Sequence, residues 1–200
     1  MIEHIEFIHR THFDKYYLRQ TPVDHLSNFI DYFWETSFQP VLNKFPQGFS
    51  DILFPNIGYT YLVNLGSPFT MEFSGHKVKI KSDGLLPRHK SLAAHHSEGN
   101  QVFGIKFRVS PILFEKKVNF YEYRESIFSL SYLINKNILD SMKQLDNFSQ
   151  RVELLSSYYL PIIKQHKGSM KQVDIVTDIL KAYDPHHEKG VEKLARENKL

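Results

Sequence analysis

The stretch Gln101-Val102-Phe103-Gly104-Ile105-Lys106-Phe107-Arg108-Val109 decides the class of fold. Phe103, Ile105, Phe107 and Val109 share one side of an extended chain and Lys106 and Arg108 the other, because successive side chains of a strand point to opposite faces. The pattern predicts a strand buried on one face, as in an antiparallel sheet. Upstream of it, residues 30–38, 51–55, 59–65, 69–73 and 77–81 are rich in Phe, Tyr, Val and Ile and read as further strands. Asn56-Ile57-Gly58, Gly66-Ser67-Pro68, Ser74-Gly75, Ser82-Asp83-Gly84 and Glu98-Gly99-Asn100 supply the turns between them. Met71 and Phe73 before Ser74-Gly75, with Val78 and Ile80 after it, make a hairpin pattern. Short strands at this spacing predict an antiparallel sandwich or barrel and exclude a parallel α/β sheet.

Downstream the period changes. Ile138, Met142, Leu145, Phe148, Val152, Leu155, Tyr159 and Ile162 recur at steps of three or four, the stripe of an amphipathic helix. Asp146-Asn147 divides it in two, and Pro161 weakens the last turn before Gly168. Such a stripe packs on its own core, pairs with a second copy, or does both. Ile138, Leu145, Val152, Leu155 and Tyr159 are therefore the candidate dimerisation residues. Asp24-His25-Leu26 reads as a single helical turn, and Ser110-Pro111 as the capped start of a short helix. After Gly168-Ser169, Val173, Val176, Ile179, Leu180 and Tyr183 form another helical face, and a short amphipathic helix follows Gly190. The expected organisation is α+β: a β-rich unit over 1–135, a helical linker over 136–167 and a further helical unit over 168–200.

Composition narrows the function. The 200 residues carry a formal charge of +3, too little to mark a nucleic-acid or membrane surface by itself. Aromatic residues are 14% of the chain, enough for a substantial core of rings. With no cysteine, disulfides, thiolate metal sites and Cys nucleophiles are excluded. The opening MIEHIEFIHRTHF lacks the apolar run of a signal peptide, and no membrane span is expected, which points to the cytoplasm. His89, His95, His96 and Glu98, with His76 as a distant partner, invite a cupin-type metal site. Adjacent His95 and His96 would point to opposite faces of a strand, however, so no metal or other cofactor is expected. No G-x-S-x-G elbow, P-loop or dinucleotide fingerprint is present, and the expectation is a non-enzyme. A ring-lined pocket for a small molecule fits better, with Tyr59, Tyr61, Phe73, His76, Phe103 and Phe107 as its candidate lining.

Taken in order, the motifs resemble those of the AraC-type transcription regulators. Val191, Leu194, Ala195 and Glu197 match the "V-x-x-L-A-x-E" helix that supports the recognition helix of their DNA-binding domain. Upstream, Leu26, Phe29, Ile30, Phe33 and Trp34 resemble an early landmark of a cupin-like sensor region associated with that family. Phe45-Pro46 with Gly48, then Asp51-Ile52-Leu53, resemble its "P-x-G-x-x-D-L-I-F" strand, and Phe103-Gly104-Ile105-Lys106-Phe107 its "G-I-R-F" strand. The resemblance implies an effector-sensing and dimerisation region, with the start of a helix-turn-helix domain over 168–200. It implies a homodimer that binds DNA in its full-length form, where Lys189, Lys193 and Arg196 would touch phosphates. The recognition helix itself is missing from this sequence, so a truncated piece of a longer regulator is expected, unable to read bases alone. The alternatives are a stand-alone cupin-like metalloenzyme and a protein-interaction module with a solid interior.

Overall fold

Alternating side chains close over two layers of strands. The computed structural model describes residues 10–56, 58–87, 89–110 and 126–165, with Ile112, Glu115, Ile175, Lys193, Arg196 and Glu197 as isolated positions. The described strands are β1 (Tyr17–Gln20), β2 (Ile30–Ser37), β3 (Phe49–Leu53), β4 (Tyr59–Asn64), β5 (Phe69–Phe73), β6 (His76–Ile80), β7 (Asp83–Leu86), β8 (Leu92–His96) and β9 (Gln101–Phe107). They form a five-stranded sheet ordered β1-β2-β9-β4-β7 and a four-stranded sheet ordered β3-β8-β5-β6. Every pairing is antiparallel. Both sheets are open, so the architecture is a sandwich and not a closed barrel.

The helices are α1 (Arg10–Tyr16), α2 (Gln39–Leu42), α3 (Lys136–Gln144) and α4 (Phe148–Gln165), with 3-10 turns at Asp24–Leu26 and Leu130–Tyr132. Asn135 starts α3 by accepting the Asn137 amide at 2.9 Å, and Asn147 starts α4 by accepting the Gln150 amide at 3.0 Å. The break expected at Asp146-Asn147 is thus a cap. Among the described residues no helix is long and apolar enough to cross a membrane.

Strand β9 corrects one expectation. It lies in the middle of its sheet between β2 and β4, and both of its faces are covered. Phe103, Ile105 and Phe107 pack with Phe33, Tyr61 and Val63 against Leu139, Met142, Val152, Leu155, Tyr159, Ile162 and Ile163 of the helices. On the opposite face Val102 joins Tyr32, Trp34 and Leu62 against Phe69, Met71, Phe73, Ile80 and Leu92 of the second sheet. Lys106, expected in solvent, is 3% exposed, and its Nζ donates to Asn56 Oδ1. Three layers result: helices, five strands, four strands. The helices over 136–165 share a core with the five-stranded sheet. Large side chains of both sheets pack together between the layers.

Candidate ligand-binding cleft

Beyond β2 the chain turns sharply at Phe38, whose amide donates to the Asn100 carbonyl at 3.0 Å. The Phe38 ring stacks on His96 at 3.4 Å between centroids and 12° between planes, and Phe49 and Phe69 flank the same imidazole. His96 is on β8 and Asp51 on β3; both face inward, and both are nearly buried. His96 Nε2 lies 3.0 Å from Asp51 Oδ1, and Nδ1 lies 2.6 Å from Asn100 Oδ1. Asn100 donates its own amide nitrogen to the Ser67 carbonyl at 3.2 Å, which turns its oxygen toward the ring. Both ring nitrogens therefore face acceptors.

This relay forms the back of an open cleft of about 630 Å3. Gln39, Leu42, Asn43, Pro46, Gln47 and Gly48 line one wall, and His96, Ser97 and Glu98 the other. Gln39 joins the walls: its Oε1 accepts the Gly99 amide at 2.9 Å and its Nε2 donates to Asn43 Oδ1 at 2.9 Å. Gly99, at φ 75°, occupies the left-handed region that this tight β8–β9 turn requires. Amides, a carboxylate and apolar side chains meet at the mouth, a mixed lining suited to orienting a small organic molecule.

None of the six residues expected to line a pocket lines this cleft. Tyr61, Phe103 and Phe107 come together, with Tyr61 and Phe107 at 4.6 Å, as part of the buried cluster beneath the helices. Tyr59 is half-buried at the edge of that core. Phe73 is buried between the sheets, and His76 is exposed at the start of β6. Of the candidate dimerisation residues, Val152, Leu155 and Tyr159 are 4%, 0% and 0% exposed and pack in the chain's own core. Ile138 and Leu145 are half-buried. Lys193 and Arg196 are exposed; Lys189 and the rest of the matched helix lie outside the described residues.

The two adjacent histidines do part, as a strand requires. His95 faces outward, its Nδ1 2.8 Å from Ser50 Oγ and its Nε2 3.6 Å from Glu72 Oε2. Ser, His and Glu in line suggest a nucleophile. His95 and Glu72 lie on interior strands of the sheet, whereas Ser50 lies on its edge strand β3. Among the described residues, no three His, Asp or Glu side chains converge as a metal site would need. Sequence reasoning missed Asp51 as a site residue because it is 45 positions from His96, and no local pattern encodes such a contact. No protein-family model and no curated protein sequence matches the chain.

The tyrosines under the helices give a pH dependence. Burial holds the phenols of Tyr59, Tyr158 and above all Tyr159 higher than their ordinary value of 10.0. The unfolded chain releases these protons first, so above about pH 10 it is favoured and stability falls as pH rises through the folded-state values. Urea unfolding between about pH 9 and 11 is expected to show a falling midpoint, with a shallower slope in Tyr159→Phe. Identical slopes in the two proteins would assign the alkaline loss to other groups.

Proposed function

We propose that this chain is the effector-sensing region of an AraC-type transcription regulator, with a cupin-like sensor fold, and that its small-molecule effector binds in the cleft between α2 and the β8–β9 turn. The motif order supports the family. The observation that carries the sensing role is mechanical. Strand β2 runs directly into Phe38, which stacks on His96 in the cleft, and three residues earlier carries Glu35, which holds Arg151 of α4. One strand therefore joins the cleft to the helical layer. An effector acts by binding two arrangements of this strand unequally, and the difference passes to α4 through the Glu35–Arg151 pair. In the full-length cytoplasmic protein, α3 and α4 would set the spacing of two DNA-binding heads, the homodimer using surface other than the buried Val152, Leu155 and Tyr159.

Thermal-shift screening of the chain against small metabolites tests the reading. A true effector at about a hundred times its Kd adds about 2.7 kcal/mol to stability. Its effect is expected to disappear in Gln47→Trp, which fills the cleft from an exposed position without touching either core. Stabilisation that survives Gln47→Trp places the ligand elsewhere, and the cleft assignment fails.

A further inference from the structure

Tyr159 is fully buried on α4, its ring edge-on to Phe107 of β9 at 5.4 Å and to Tyr158 at 5.0 Å. Among the described residues its hydroxyl has no hydrogen-bond partner. Native proteins rarely leave such a group unsatisfied, because a hydroxyl stripped of water loses a bond that the unfolded chain keeps. Three other acidic groups lie within electrostatic reach of it. The Tyr61 hydroxyl lies 2.7 Å from Ser110 Oγ, and that phenol, Tyr158 and the Glu115 carboxyl join burial in holding the Tyr159 proton in place.

We propose that the Tyr159 hydroxyl is the donor of an internal binding site beneath α4, which receives one neutral oxygen on the side facing Tyr61 and Ser110. The oxygen belongs to a water molecule or to a hydroxyl or carbonyl group of a small ligand. Neutrality follows from the surroundings: the apolar rings that desolvate the phenol desolvate a guest anion equally, and Glu115 repels it. The guest is a bridge between helix and sheet, accepting from Tyr159 and reaching the Tyr61–Ser110 hydroxyls. Pro161, two positions on, lacks the amide that would close the helical bond to residue 157, so α4 gives most easily beside the site. The site is separate from the cleft and stands or falls without it.

Thermal unfolding of Tyr159→Phe, alongside a crystal structure of the parent chain, tests this. The variant is expected to melt several degrees below the parent, and the crystal to show an oxygen at hydrogen-bond distance from Tyr159 Oη. Native mass spectrometry of the protein as purified then separates the sources: the bare chain mass assigns water, and an added mass assigns a small molecule. A Tyr159→Phe variant as stable as the parent, or more so, overturns the proposal, because removing a true orphan relieves its cost. If the variant does not fold, the parent crystal decides; a hydroxyl in contact only with carbon overturns it.

Discussion

Arg151→Met is expected to destabilise the chain by about 3–5 kcal/mol, the usual result of leaving one member of a buried ion pair alone. Arg151 and Glu35 are each 5% exposed. The guanidinium Nη1 donates to both carboxylate oxygens at 3.0 and 2.8 Å, Nε donates to the Met142 carbonyl at 3.1 Å, and Nη2 to the Leu145 carbonyl. Those carbonyls lie at the end of α3, where a helix has no partners of its own to offer. One side chain thus ends α3, anchors α4 and neutralises Glu35 on β2. After its removal Gln101, donating to Glu35 Oε1 at 2.8 Å, is left to support a buried carboxylate.

Glu35→Met combined with Arg151→Met is expected to recover much of the loss, since well-packed apolar groups replace a buried pair at little cost. Urea unfolding of the parent, both single variants and the double variant gives the coupling directly. A coupling near zero would show that the two charges do not depend on each other. The double variant also isolates function, because it keeps the layers together while cutting the path from the cleft to α4.

Gly104→Val is the second large effect. A Cβ on Gly104 would stand 2.0 Å from Trp34 Cε2 and 2.3 Å from its Cζ2 and Nε1. The two residues are partners across β2 and β9, and the indole lies over the bare backbone of the glycine. It cannot simply lift away, because Tyr17 stacks on it at 5.5 Å and 12°. Overpacking of this kind costs about 1–3 kcal/mol and sometimes more, and the valine is expected at the upper end. Gly104→Ala is expected to fall between it and the parent. Trp34 is the only tryptophan in the chain, so its emission reports the site without a label. A red shift should accompany the lowered urea midpoint, and Trp34→Leu should rescue Gly104→Ala. Unchanged emission and midpoint in Gly104→Ala would mean that the strands have room the geometry denies.

Local features were legible. Strand 69–73 was read to the residue, and Ser74-Gly75 turns its hairpin at φ 49° and 78°, the left-handed pair that a two-residue turn needs. The helical turn at Asp24–Leu26 and the break before α4 were visible for the same reason: propensity and capping act within a few residues. The misses have a common cause. Asp83-Gly84 looks like a turn but opens β7, because Asp83 accepts the Leu130 amide at 2.5 Å and Gly84 leaves room for Ile127. Leu92-Ala93-Ala94-His95-His96 has little apolar signal, yet becomes β8 because strands on both sides pair with it.

Alternation and period determined that this chain makes antiparallel sheet followed by packed helices, since those signals depend on neighbours one to four positions away. Whether a given face meets water, a helix or a second sheet was decided by tertiary structure alone. Lys106 buried opposite Phe107, His96 paired with Asp51, and Arg151 closing on Glu35 across 116 positions all arise where distant segments exclude water together. The cost of burying a charge depends on everything around it, and no short window of sequence contains that information.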